Sequence, residues 1–324
     1  MPSIRLRAAA TLAGLCVLGP GRAGDAGIAL PEVATHDDGR APIGTLWQAS
    51  LRLVERGWTA EVVVESGPAG TAMSLPVIAL RSPKAGPAVW ILAGIHGEEP
   101  AGPNAIARAI EDIARLGAGR PVVLLPLLNP QGYARNWRYL NAATYSETVA
   151  GQSVGDSSHL LPAADDASRA RAGAPSSPEA AAITAYVLRR QADYPVAVSI
   201  DLHEDNLIDA GYVYSQGELG ERDPLAALAV EVLAKYGVPL KRSGTTRFDE
   251  PVSQGIVGPV TDSSIDELLG ARTVVVDGRA QPGPAARTVL VFETPAAALP
   301  LERRIAAHAA LLERLATELA ARPD

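Results

Sequence analysis

The chain has almost no sulfur. Of its 324 residues one is cysteine, Cys16, and two are methionine. A single thiol forms no intrachain disulfide and no thiolate metal cage, so any bound metal must be held by His, Asp or Glu. Basic charge is also short. Lys and Arg together number 29 against 36 Asp and Glu, a net charge of −7, and aromatics are 4%. No basic face and few stacking platforms exclude nucleic acid as a natural partner. Long apolar runs are missing as well. The one near the N-terminus, Ala8 to Leu18, is too short to span a bilayer.

That run follows Arg5 and Arg7 and leads into small residues with a cut site after Ala23 or Ala26. This is the layout of a secretory signal, with a buried N-terminal helix as the alternative. The residues before Cys16 make a poor lipoprotein cleavage site. The sequence is therefore read as a signal over 1–26, a variable lead-in over 27–45 and a catalytic domain over 46–324. The expected location is secreted or periplasmic, with no membrane span once the signal is removed.

What is abundant is apolar residue in short runs, within a composition that is 47% hydrophobic and 20% charged. Strand-like segments occur at 60–65, 75–81, 88–95, 122–128, 196–202, 211–215 and 288–293. Helical periodicity lies between them at 100–116, 177–192, 224–236 and 301–321. Alternation of unbroken apolar strands with helices predicts one α/β domain, its mixed, largely parallel twisted sheet sandwiched between helices. The stretch from 141 to 176 is polar and aperiodic, a long loop of the kind that is functional or disordered.

In such sheets ligands bind beyond the carboxyl ends of strands. Three strands end in ionisable groups: "AVWILAGIHGEEPAG" in His96 and Glu99, "VAVSIDLHEDN" in His203, and "RTVLVFETP" in Glu293. Two imidazoles and a carboxylate make a three-ligand catalytic zinc site, and a further carboxylate can act as general base. Of the five histidines, His36 lies in the lead-in and His308 in a helix with a surface pattern. Glu98 and Glu204 adjoin the ligands and are read as solvent or rim residues.

With these residues in view, "GIHGEEPAG" resembles the His-x-x-Glu motif of the zinc metallocarboxypeptidases, the carboxypeptidase A-like fold. "NPQGYARNWRY" is similar to that family's Asn-Pro-Asp-Gly turn and Arg-x-Trp-Arg, and "SVGDSSH" to its Val-Asp-x-Asn-Arg. "SIDLHED", "SSIDELL" and "VFETP" follow in the family's order, over roughly residues 60 to 296. The resemblance implies one zinc per chain on His96, Glu99 and His203, with Glu293 as general base and Arg138 facing the scissile carbonyl. It implies Arg135 as an accessory substrate-binding cation and Asp156 as the partner that orients His96. The family's Asn-Arg grip on a substrate carboxylate is replaced by Ser158 and His159, and the tyrosine ahead of "SSID" is missing. Ser158 and His159 are therefore the expected readers of the substrate's end.

The resemblance implies a zinc-dependent amide hydrolase acting on a peptide or peptide-like substrate, with cell-wall peptide suited to the expected compartment. A deacylase of the aspartoacylase and succinylglutamate desuccinylase type shares the motif and is the second reading. A non-catalytic zinc or peptide-binding module is the third; Arg138 and Glu293 beside the ligands argue against it. The sequence carries no signal for an oligomeric state.

Overall fold

A computed structural model describes residues 28–321, apart from 29, 69, 70, 72, 149 and 150. The signal-like segment and Cys16 lie outside the described residues. In chain order the first strands are β1 (Thr59–Ser66), β2 (Leu75–Arg81), β3 (Ala88–Ala93), β4 (Val122–Leu125), β5 (Tyr139–Asn141), β6 (Ser146–Thr148) and β7 (Val196–Asp205). Then come β8 (Tyr212–Ser215), β9 (Ser243–Thr245), β10 (Pro251–Ser253), β11 (Ile256–Val257), β12 (Thr273–Val276), β13 (Arg279–Pro282) and β14 (Thr288–Pro295). The helices are α1 (Ile43–Leu51), α2 (Ala101–Arg108), α3 (Ile110–Gly119) and α4 (Pro130–Arg135), followed by α5 (Pro178–Arg190), α6 (Pro224–Lys235), α7 (Ile265–Gly270) and α8 (Leu301–Ala321).

Ten strands form one mixed sheet in the order β1-β2-β4-β3-β7-β14-β8-β11-β10-β9. Its centre, β4-β3-β7-β14, is parallel, and antiparallel pairs dominate toward both edges. The centre is buried on both faces, and the alternation of β3 shows why. Val89, Ile91 and Ala93 join the core beneath α1, α2, α3, α6 and α8, whereas Ala88, Trp90 and Leu92 join the core beneath α5 and α7. An unbroken apolar run is what a strand packed on two sides requires. The last strand in sequence, β14, slots between β7 and β8.

The helix expected over 100–116 is two helices, α2 and α3, meeting at Ala109. The lead-in is tied down rather than loose. Ile28, Leu30, Val33 and Ala41 pack on the core, and the His36 amide donates to the Ala134 carbonyl at 2.9 Å. Among the described residues, the long polar stretch holds the β5–β6 hairpin, an isolated bridge between Pro162 and Ala170, and turns. No helix among the described residues is long and apolar enough to cross a membrane.

Candidate metal centre and hydrolytic site

The site forms where β3, β7 and β14 end side by side. Beyond β3 the chain turns at Gly94, in the left-handed region (φ 69°), which directs Ile95 and His96 out of the sheet. Gly97 then passes so close to α4 that a Cβ would lie 2.0 Å from the Gly132 carbonyl carbon, so only glycine fits. This packing carries His96 and Glu99 back over the end of β7. There His203 lies opposite Glu293 in the parallel β7–β14 register.

Glu99 joins the two imidazoles. Its Oε1 is 2.9 Å from His96 Nδ1, its Oε2 is 2.9 Å from His203 Nδ1, and the rings stand 5.0 Å apart. All three donor groups lie within 4.8 Å of one another, close enough to surround one cation. The donor set is hard-to-borderline nitrogen and oxygen, with both Nδ1 atoms turned inward, and it fits a divalent metal of the zinc type. Burial pushes His96 down to about 4, against the pull of Glu99, so its nitrogen lone pair is available at neutral pH. Burial also works against the His203 proton, but Asp201 and Glu99 outweigh it and hold that proton.

Asp201, which the sequence reading missed, lies behind His203. Its Oδ2 is 3.2 Å from His203 Nε2, and it is fully buried. The signal was present in the "DLH" spacing, because residues two apart on a strand share a face. Asp156, expected to orient His96, lines the cavity but accepts from the Ser158 amide and hydroxyl instead, at 3.2 and 2.8 Å. That corrects its expected role: a tight local turn captures the carboxylate.

Glu293 is the one residue of β14 that is not fully buried, because its side chain opens into the cavity. Burial raises its carboxyl, and Glu99 and Asp205 add to this against His203 and Arg138, leaving it at about 8. Its Oε2 has no hydrogen-bond partner. A carboxylate held near the working pH with a free oxygen is poised for proton transfer. Arg138 lines the same cavity and donates from Nη1 to Glu98 Oε1 (2.9 Å) and Glu99 Oε1 (2.6 Å). Glu98 is thus a half-buried partner of Arg138 rather than a free rim residue. Glu204 is also buried: it accepts from the Ala101 amide at 2.7 Å, capping α2, and pairs with Arg304 of α8.

Three expected substrate contacts are placed elsewhere. Arg135 donates to Gln131 Oε1 at 2.5 Å and stacks on Trp137, outside the cavity. The Ser158 hydroxyl is spent on Asp156. His159 faces α5, its Nε2 3.3 Å from Thr184 Oγ1, and lines a separate shallow depression. The chain after Asp156 turns away from the metal site, which carries Ser158 and His159 out of the cavity, and Arg135 is held outside it by Gln131 and Trp137.

The cavity itself has a volume of about 690 Å³. Residues that the sequence reading missed complete its wall. Tyr212 and Tyr214 project from alternate positions of β8 and donate to Asp205 Oδ2 and Glu250 Oε2, each at 2.7 Å. Arg247 lies over the Phe248 ring at 4.7 Å and 4.0 Å from Asp205 Oδ1, and its buried Nε has no hydrogen-bond partner.

Residues 85–153 match the succinylglutamate desuccinylase/aspartoacylase catalytic domain, a segment that carries His96, Glu99 and Arg138. No protein among the curated sequences matches the chain. Among solved structures the chain is similar to a "putative metallopeptidase" from Shewanella amazonensis, at 25% identity and a TM-score of 0.65, covering 86% of this chain and 92% of that one. A metallo-carboxypeptidase from Burkholderia cenocepacia shares 15% identity with a TM-score of 0.55, over 86% of this chain and 69% of its own. A metallo-carboxypeptidase from Pseudomonas aeruginosa, in complex with (2-guanidinoethylmercapto)succinic acid, shares 19% with a TM-score of 0.51, over 83% and 67%. The chain has the zinc carboxypeptidase-like fold that its motifs resemble, with a desuccinylase/aspartoacylase-type segment around the first metal motif.

Proposed function

We propose that the chain is a zinc-dependent amide hydrolase, a carboxypeptidase-like metallopeptidase acting on a small peptide or peptide-like substrate outside the cytoplasm. One observation carries this reading: His96 and His203, bridged by Glu99, line a single cavity with Glu293 and Arg138. Zinc bound there would supply Lewis acidity to the carbonyl and acidify the attacking water. Glu293, whose Oε2 has no hydrogen-bond partner and opens into the cavity, takes a proton from the attacking water and returns it to the leaving nitrogen. Arg138, cationic at any working pH, faces the oxygen on which negative charge develops. Arg247, whose Nε has no hydrogen-bond partner, supplies a second guanidinium for an anionic group of the substrate.

The match over 85–153 favours a second reading, a deacylase of N-acyl amino acids. Both readings break an amide beside a carboxylate, so the same residues serve either. Metal-loaded protein incubated with peptides, cell-wall peptides and N-acyl amino acids separates them, because product masses identify the bond cut. Loss of a C-terminal residue supports the first reading, and release of an acyl acid supports the second. Failure to cut any member of the three panels, with metal bound, would reject both. Fractionation of producing cells tests the extracellular assignment.

A further inference from the structure

Arg40 lies in the lead-in, outside the cavity, yet its side chain is fully buried. All five of its N–H donors are used. Nε and Nη2 donate to the two Asp38 oxygens at 2.8 and 2.6 Å, and Nη2 also donates to Asn136 Oδ1 at 2.5 Å. Nη1 donates to the Gly97 and Tyr133 carbonyls at 2.9 and 2.7 Å. The guanidinium also sits 4.9 Å from the centre of the Tyr133 ring.

These acceptors belong to two segments that the site must hold together. Gly97 lies in the turn between His96 and Glu99. Tyr133 and Asn136 lie in α4 and the bend that leads to Arg138. Apart from Arg40, the segments meet through the Gly97 amide, which donates to the Trp137 carbonyl at 3.1 Å, through the close Gly97–Gly132 approach, and through the Arg138 side chain, which reaches Glu98 and Glu99 at the far end of the turn. A buried guanidinium is tolerated only when every donor is matched, and its planar fork then fixes the positions of its acceptors. Lysine has fewer donors and no fork, so it cannot span the same set.

We infer that Arg40 is a positioning residue of the metal site, clamping the His96–Glu99 turn to the Asn136–Arg138 bend. The segment ahead of α1 is thereby part of the hydrolytic apparatus. This rests on the metal reading of the site given above. It is tested on the full chain by zinc competition against a chromophoric chelator, together with thermal unfolding of each metal-free protein.

Arg40→Met should bind zinc about 10–100-fold more weakly, the usual effect of losing a group that holds metal ligands in place. Arg40→Lys should not restore it. Asn136→Gly removes one acceptor but accepts the left-handed backbone at that position (φ 62°), and should weaken zinc in the same direction by less. A lower melting temperature with zinc affinity within threefold of wild type would make Arg40 a plain strut and overturn the inference. If Arg40→Met does not fold, Asn136→Gly and Asp38→Asn decide by the same threefold criterion. Wild-type protein that takes up no zinc would instead defeat the metal reading itself.

Discussion

His203 and Glu293 are register partners on adjacent parallel strands, yet they face opposite demands. One Nδ1 of the pair is turned toward Glu99 and the metal position, while the carboxylate beside it keeps a free oxygen. The first prediction separates them. His203→Ala should lose most of the metal by elemental analysis, whereas Glu293→Gln should keep full occupancy and lose about 10²–10⁴-fold in turnover. Full zinc in His203→Ala would refute the ligand set, and near-normal turnover in Glu293→Gln would move the base elsewhere.

Asp201 should matter to the metal without touching it. Asp201→Asn removes the negative charge that faces His203 Nε2 and should weaken zinc by roughly 10–100-fold at unchanged stoichiometry. Chelator competition measures this directly, and unaltered affinity would leave Asp201 as packing alone.

Arg138→Ala should depress kcat more than it raises KM, because the cation is needed once charge has formed. Losing one such donor costs about 10²–10³-fold. A change confined to KM would reassign Arg138 to substrate binding.

Arg247 and His159 offer a direct comparison. Arg247→Gln should raise KM for a substrate with a free carboxylate and leave its amidated counterpart nearly unaffected. His159→Arg should not change the ratio of the two, because His159 faces Thr184 and not the cavity. The opposite pattern would restore the family-like subsite that the sequence suggested.

The sheet could be read from the sequence because its central strands must be apolar on both faces, and that demand writes continuous Val, Ile and Leu runs. β2 and α8 begin and end where periodicity places them. The helix α1 escaped notice because Pro42 precedes it with no side-chain cap and its first turn has no acid. Metal-site residues at strand ends were legible for the same reason as the strands. Arg40, Glu204 and Arg247 were not, since their meaning lies in partners far along the chain. A charged residue reads as solvent-facing until its counterpart is placed beside it.

His308 makes the same point and yields a pH prediction. Its helix has a surface pattern in the sequence, but His308 is fully buried, with Nε2 2.8 Å from Thr294 Oγ1 and its ring against Phe292. Burial pushes it down to about 3, so the folded protein holds it neutral. The unfolded chain takes up a proton below about pH 6.5, which favours unfolding. Stability tied to this group is present above pH 6.5 and falls away between there and pH 3. At pH 4.5 the loss is on the order of 2–3 kcal/mol. Denaturant unfolding of His308→Gln should show a flatter pH dependence across that window. An identical slope would mean that other groups govern acid unfolding.

The placement of β14 between β7 and β8 has a consequence for how the molecule is made. A chain emerging from the ribosome presents His96, Glu99 and His203 long before Glu293, but the sheet then has a gap at its centre. β7 and β8 have no shared neighbour until the strand that ends at Pro295 is delivered, and α8, which anchors Glu204 through Arg304, comes later still. Pairing across such sequence separations is slow. The proposed base, Glu293, therefore arrives with the strand that closes the fold, so a partly synthesised chain holds neither a finished core nor the complete set of site residues.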